Sequence, residues 1–113
     1  MSDLNATELH ALLALGTGPS YGYRLQQRIE TESGGAVSPD IGALYRTLGR
    51  LMDRGWVDEV DAPDEAPDVT RGRPRRYYGL TAVGRQVLAD EIDRLAAVVD
   101  LARDRDIAPE HSG

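Results

Sequence analysis

The chain has 113 residues, of which 13 are basic and 19 acidic, giving a formal net charge of -6; every basic residue is an arginine. One compact domain is expected at this length, and the absence of cysteine excludes a disulfide framework, a thiolate metal site and a cysteine nucleophile. The apolar run Ala11 to Leu15 falls far short of the roughly 20 residues of a membrane span, so a soluble, intracellular protein is expected, and net acidity by itself argues against a polyanionic partner such as DNA.

Asn5 with Glu8 three residues on is a capping-box pattern, and Leu9, Leu12 and Leu13 follow at helical spacing until Gly16 and Gly18-Pro19. A first helix is expected there. Ser20 is read as the cap of a second helix, with Tyr21, Leu25 and Ile29 along one face and Gly34-Gly35 at its end. Ser38-Pro39 is read as the start of a third, because a capping hydroxyl precedes a proline whose missing N–H costs nothing at the first helical position. Advancing about 100° per residue from Ile41 gathers Ile41, Leu44, Leu48, Leu51 and Met52 into one apolar arc, leaving Gly42, Ala43, Arg46, Gly49 and Arg50 outside it.

Gly55 closes this helix. Trp56 to Val60 reads as a strand, Asp61 to Arg71 as an acidic, proline-containing mobile loop, and Arg75 to Leu80 as a second strand, together forming an antiparallel hairpin. Thr81 caps a last helix running toward Arg105, in which Leu88, Ile92, Leu95, Val99 and Ala102 alternate steps of four and three. That spacing is a coiled-coil seam and predicts a homodimer, with packing against the first helix as the alternative.

The expected fold is mainly α with a small β-hairpin: a winged helix-turn-helix over residues 1–80, a dimerisation helix over 81–106 and a disordered tail over 107–113. In that arrangement the third helix enters the major groove of double-stranded DNA and the hairpin touches the flanking backbone or minor groove. Residues 41–57 and 71–85 hold eight arginines against one acid, Asp53, a local +7, while the remainder carries -13. Net charge therefore conceals a segregated surface.

Arg46 and Arg50 share one side of the third helix, and a guanidinium fork matches guanine's two major-groove acceptors or a phosphate. Gly42 and Ala43 would let the DNA backbone approach. Two arginines on a solvated helix face would leave the same pattern, and Tyr45, at the edge of the apolar arc, fits either a half-buried core tyrosine or a phosphate contact. Arg71-Gly72-Arg73-Pro74-Arg75-Arg76 is the most basic stretch; its Arg-Gly-Arg-Pro core looks like an AT-hook, which lies in the narrow minor groove, although a basic loop neutralising the acidic segment before it is an alternative.

Three segments resemble the PadR family of transcriptional regulators, in its short form with a single helix after the winged domain. They are Tyr21-Gly22-Tyr23-Arg24-Leu25; Ser38 through Leu51 and on to Arg54-Gly55; and Gly72-Arg73-Pro74-Arg75-Arg76-Tyr77-Tyr78-Gly79-Leu80-Thr81, ending at Gly84-Arg85. The resemblance implies a homodimeric bacterial repressor, cytoplasmic and nucleoid-associated, that binds a palindromic operator and is released by a small-molecule effector or a stress signal. It places DNA contacts on Tyr45, Arg46, Arg50, Arg73, Arg75 and Arg76, and sets Tyr21 near a phosphate. Gly79 departs from the family, which usually has a charged or polar residue there, and the last helix has no aromatic residue with which to stack a flat ligand.

A winged-helix module that docks on an acidic protein surface and never touches DNA is the competing reading. An enzyme is not expected. His10 reads as a surface residue of the first helix and His111 as part of the tail, with no acid or nucleophile arranged beside either, and no cofactor or metal is expected.

Overall fold

The computed structural model describes residues 4–63 and 76–107. Its elements, in chain order, are α1 (Ala6–Leu15), β1 (Ser20–Tyr21), α2 (Gly22–Glu32), α3 (Ile41–Asp53), β2 (Val57–Val60), β3 (Tyr77–Leu80) and α4 (Ala82–Asp104). The architecture is the expected one of three helices, a ribbon and a long final helix, with one strand added.

The capping box at α1 closes in both directions: Asn5 Oδ1 accepts from the Glu8 amide at 2.8 Å, and Glu8 Oε1 accepts from the Asn5 amide at 3.0 Å. Ala11, Leu12, Ala14 and Leu15 are fully buried, because α1 packs against α2, α3, α4 and β3. Leu25 and Ile29 of α2, Leu44, Leu48 and Leu51 of α3, Val57 and Tyr78 complete the core around it. Burial of each large aliphatic side chain here stabilises the fold by about 1.5–3 kcal/mol relative to exposure. The apolar arc of α3 falls as its periodicity predicts: Leu44, Leu48 and Leu51 are inside, with Ile41 and Met52 at the margins.

Two caps differ from expectation. Ser20 does not cap α2; the N-cap is Tyr21, which supplies no side-chain bond, and Ser20 forms with Tyr21 a two-residue strand paired antiparallel to β3, Ser20 opposite Tyr78 and Tyr21 opposite Tyr77. The Ser20 hydroxyl is buried with no hydrogen-bond partner among the described residues. At α3 the N-cap is Asp40, whose Oδ1 accepts from the Ala43 amide at 2.7 Å. Ser38 is taken instead by Glu30, to whose carboxylate it donates, and the Pro39 carbonyl accepts from Gln26 Nε2 at 2.9 Å.

The sheet order is β1-β3-β2, and the wing register pairs Val57 with Leu80 and Val60 with Tyr77. Gly79, opposite Asp58, is buried, and a Cβ on it would lie 3.2 Å from a Val60 methyl, so the small residue suits the tight packing at this point. Thr81 caps α4 as expected: its Oγ1 accepts from the Gly84 amide at 2.9 Å and donates to the Gly55 carbonyl at 2.6 Å. The long expected loop, from 64 onward, and the tail from 108 lie outside the described residues. His10 is not a simple surface residue, since its Nδ1 is buried and has no hydrogen-bond partner among the described residues.

Candidate nucleic-acid interface

The outer face of α3 begins at the Asp40 cap and carries Gly42, Ala43, Tyr45, Arg46, Gly49 and Arg50, with Arg54 just beyond the helix end. Arg46 is exposed and makes no hydrogen bond or ion pair with another described residue. Its guanidinium lies back along the first turn, where a Cβ on Gly42 would stand 3.5 Å from Arg46 Nη1. Gly42 and Ala43 are partly exposed beside it, and nothing comes within 4 Å of a Cβ built on Gly49. This stretch of the helix is low in profile and bears one uncommitted positive charge.

Arg50 is differently placed. Its Nε donates to Glu8 Oε2 at 3.4 Å and its Nη2 to Thr47 Oγ1 at 3.2 Å, while Arg54 Nη1 donates to the same Glu8 oxygen at 3.3 Å. Glu8 is 3% exposed, so one buried carboxylate of α1 is shared by two guanidinium groups whose side chains are 46% and 44% exposed. Arg54 also lies over the Trp56 ring, 5.0 Å from its centroid, a cation–π contact that seats it at the start of the wing. In the sequence Glu8 stands out only as a capping partner. Its link to Arg50 spans 42 residues, and no local pattern encodes it.

The aromatic residues join α3 to the wing. The Tyr45 side chain, 43% exposed, stands with its ring 6.4 Å from that of Tyr78, and its Cζ occupies the space that a Cβ on Gly22 would need, 2.7 Å away. Gly22 thus permits the Tyr45 hydroxyl to sit against the start of α2. Tyr21 meets Tyr77 edge to face at 5.5 Å, which orients β1 against the wing strand. Arg76 is exposed just before β3, where its guanidinium acts on the Tyr78 hydroxyl. Burial pushes that hydroxyl above its ordinary pKa and nearby Tyr45 adds to the rise, against which the Arg76 guanidinium works. Gly42, Ala43, Arg46 and Arg50 thus share the outer face of α3, and Tyr45 reaches from it to Tyr78 and the start of α2, whereas Tyr21 packs on Tyr77, whose side chain leaves β3 on the face opposite that of Tyr78. Arg73 and Arg75 lie outside the described residues.

The seam expected on α4 divides. Leu88 joins the core of the winged domain, and Leu95 and Ala102 are partly buried, whereas Ile92 and Val99 are 41% and 42% exposed. Val98 and Leu101 are exposed as well, so the apolar strip on the distal half of α4 is broader than the heptad spacing alone suggests. Glu91 is held beside it by a two-point fork from Arg94, at 3.0 and 2.8 Å. No helix among the described residues is long and apolar enough to cross a membrane.

Comparison with known proteins identifies the family and the fold. The profile of the PadR-like transcriptional regulator family matches residues 11–90. An uncharacterised 37.1 kDa protein in a transposon of Streptomyces fradiae is 33% identical over 92 residues, which are 81% of this chain and 24% of that protein. The chain spans between 11% and 24% of the length of the curated relatives it matches. Among solved structures, a PadR family transcription regulator from Clostridium difficile R20291 superposes with a TM-score of 0.70 at 16% identity, covering 88% of this chain and 97% of that one. Bacillus subtilis PadR in complex with operator DNA superposes with a TM-score of 0.63 at 23% identity, covering 78% of this chain and 47% of that one. With residues 11–90, well over half of its length, within the family profile and a winged-helix fold, the chain belongs to the PadR-like family of transcriptional regulators.

Proposed function

We propose that the chain is a sequence-specific DNA-binding repressor, cytoplasmic and nucleoid-associated, that binds a palindromic operator as a homodimer. Family membership supports regulation of transcription, and the observation that carries the DNA contact is the outer face of α3. There Arg46, with no partner among the described residues, stands beside Gly42 and Ala43, with Arg50 one turn on and Tyr45 packed toward Tyr78 of the wing, near Arg76. Most of the acidic excess lies in the segment 58–68 and along α4, with Glu59 of β2 opposite Tyr78 in the wing, while on the outer face of α3 arginine outnumbers acid. Tyr21 at the head of α2 and Arg73 and Arg75 in the wing complete the proposed contact set.

The exposed Ile92, Val98, Val99 and Leu101 of α4 support the dimer, because they would lie in water unless a second copy covered them. With Leu88, Leu95 and Ala102 they form one side of the helix from core to tip. Release by a small-molecule effector or stress signal rests on the family resemblance. The chemistry is binding alone, with no catalytic role for any residue. A mobility-shift titration on the DNA upstream of the gene tests the reading: a retained complex whose affinity falls steeply with salt is expected, each neutralised phosphate adding about 0.9 to the slope of log affinity against log salt. No complex at low salt would overturn it.

A further inference from the structure

We propose that Glu8, a residue of α1 that does not face DNA, is a positioning residue for base discrimination by the recognition helix, acting through Arg50. The inference rests on the DNA-binding reading above and assigns within it a division of labour between two arginines.

An arginine side chain has many rotamers, and a contact to a base must overcome that entropy. Arg46, without a partner among the described residues, bears that cost when DNA arrives. Arg50 does not, because Glu8 Oε2 holds its Nε at 3.4 Å and Thr47 Oγ1 holds its Nη2 at 3.2 Å before any ligand is present. Glu8 is itself fixed: it is 3% exposed and its other oxygen accepts from the Asn5 amide at 3.0 Å. A guanidinium has five N–H donors. Two are engaged here, leaving both hydrogens of Nη1 and one of Nη2, adjacent donors of the kind that match the O6 and N7 acceptors of guanine.

The same carboxylate changes the electrostatics. One negative charge lies against two positive ones, Arg50 and Arg54, so the pair attracts phosphate as about a single charge while keeping both forks in place. Geometry is retained and indiscriminate attraction is reduced. Removing the charge of Glu8 should therefore act in opposite directions on specific and non-specific binding, whereas a loss of fold would lower both.

The test uses the full chain and a duplex selected from a random pool by the wild-type protein, with a scrambled duplex of the same composition as reference. Glu8→Gln keeps the size of the side chain and the acceptor for the Asn5 amide. The expected result is several-fold tighter binding to the scrambled duplex and a fall of about tenfold in the selected-to-scrambled affinity ratio, in line with the worth of one well-placed bidentate contact. In an Arg50→Ala background, Glu8→Gln should leave the ratio unchanged. An unchanged ratio in the single variant, or equal losses on both duplexes, would overturn the proposal. A wild-type protein that selects no duplex would instead remove the DNA-binding reading on which it stands. Should Glu8→Gln fail to fold, hydrogen exchange of arginine Nε–H groups in the free wild-type protein decides: slower exchange at Arg50 than at Arg46 supports the assignment, and equal exchange refutes it.

Discussion

Replacing Gly84 by alanine isolates the contact that docks α4 on the winged domain. Gly84 is buried in the first turn of that helix, and a Cβ there would fall inside the van der Waals envelope of the Trp56 carbonyl oxygen, with the Trp56 carbonyl carbon at 2.8 Å and its Cα at 2.9 Å. All three atoms are backbone, so no rotamer change can relieve the overlap; either α4 or the turn between α3 and β2 must move. Movement would stretch the Thr81 amide bond to the Trp56 carbonyl, now 3.0 Å, and the Thr81 hydroxyl bond to the Gly55 carbonyl, now 2.6 Å. Overpacking of this kind costs about 1–3 kcal/mol, and each of the two hydrogen bonds about 1 kcal/mol where it is broken. Helix propensity favours alanine by about 1 kcal/mol, so a net loss of about 2 kcal/mol is expected, equivalent to roughly 8–16 °C in Tm for a domain of about this size. Gly49→Ala is the matched control: it is also helical, but a Cβ there meets nothing within 4 Å, so propensity alone should act and raise the Tm. Thermal unfolding followed by circular dichroism measures both. A Tm for Gly84→Ala equal to or above the wild type would refute the close approach of α4 to Trp56.

Arg46→Ala should weaken binding to the scrambled and selected duplexes by similar factors and reduce the salt slope by about one if the side chain meets phosphate; a base-specific loss in mobility-shift titrations would reassign it to the groove. Ile92→Asp with Val99→Asp, both at exposed positions of α4, should yield a monomer with an unchanged circular dichroism spectrum, read by sedimentation equilibrium, and a persistent dimer would place the interface elsewhere. The Tyr78 hydroxyl is held above the ordinary tyrosine value chiefly by burial, so it is protonated more firmly in the folded than in the unfolded chain. That linkage stabilises the fold fully below about pH 10 and is lost as pH rises through the raised pKa; absorbance titration should show a tyrosine ionising above the ordinary range, with stability falling over the same pH interval. Gly22→Ala should lower stability less than Gly84→Ala, by about 1 kcal/mol or less, because the obstructing atoms are the far end of the exposed Tyr45 side chain. It should still weaken DNA binding by shifting that hydroxyl, which the same titrations measure.

The parts of the fold that were legible are those in which cause lies within a few residues. The Asn5–Glu8 box, the apolar arc of α3, the Gly55 stop and the Thr81 cap are all local, and each appears where its spacing puts it. Ser38-Pro39 misled because Asp40 has equal capping chemistry two residues on, and the choice between them was made by Glu30, a residue of another helix. Strand β1 has two residues, too few for any alternation to register. At the interface, residue types were legible and their commitments were not: Arg46 and Arg50 look alike in sequence, and only the fold brings the Glu8 carboxylate to one of them. The seam of α4 shows the same limit, since spacing alone cannot tell that Leu88 faces the core of its own domain while Ile92 and Val99 remain exposed.

The shortness of β1 has a consequence for how copies of this chain can meet. A sheet invites further strands at its open edges, and proteins blunt such edges by brevity or by charge. Here β3 lies in the middle; one edge is a strand of two residues and the other is β2, whose Asp58 and Glu59 are exposed and acidic. A second copy is thus deterred from adding to the wing, where stacking would occlude the arginines, and is offered the apolar flank of α4 instead. The described sheet is unattractive to strand addition at both ends, and the exposed aliphatic side chains Ile92, Val98, Val99 and Leu101 lie away from it on α4.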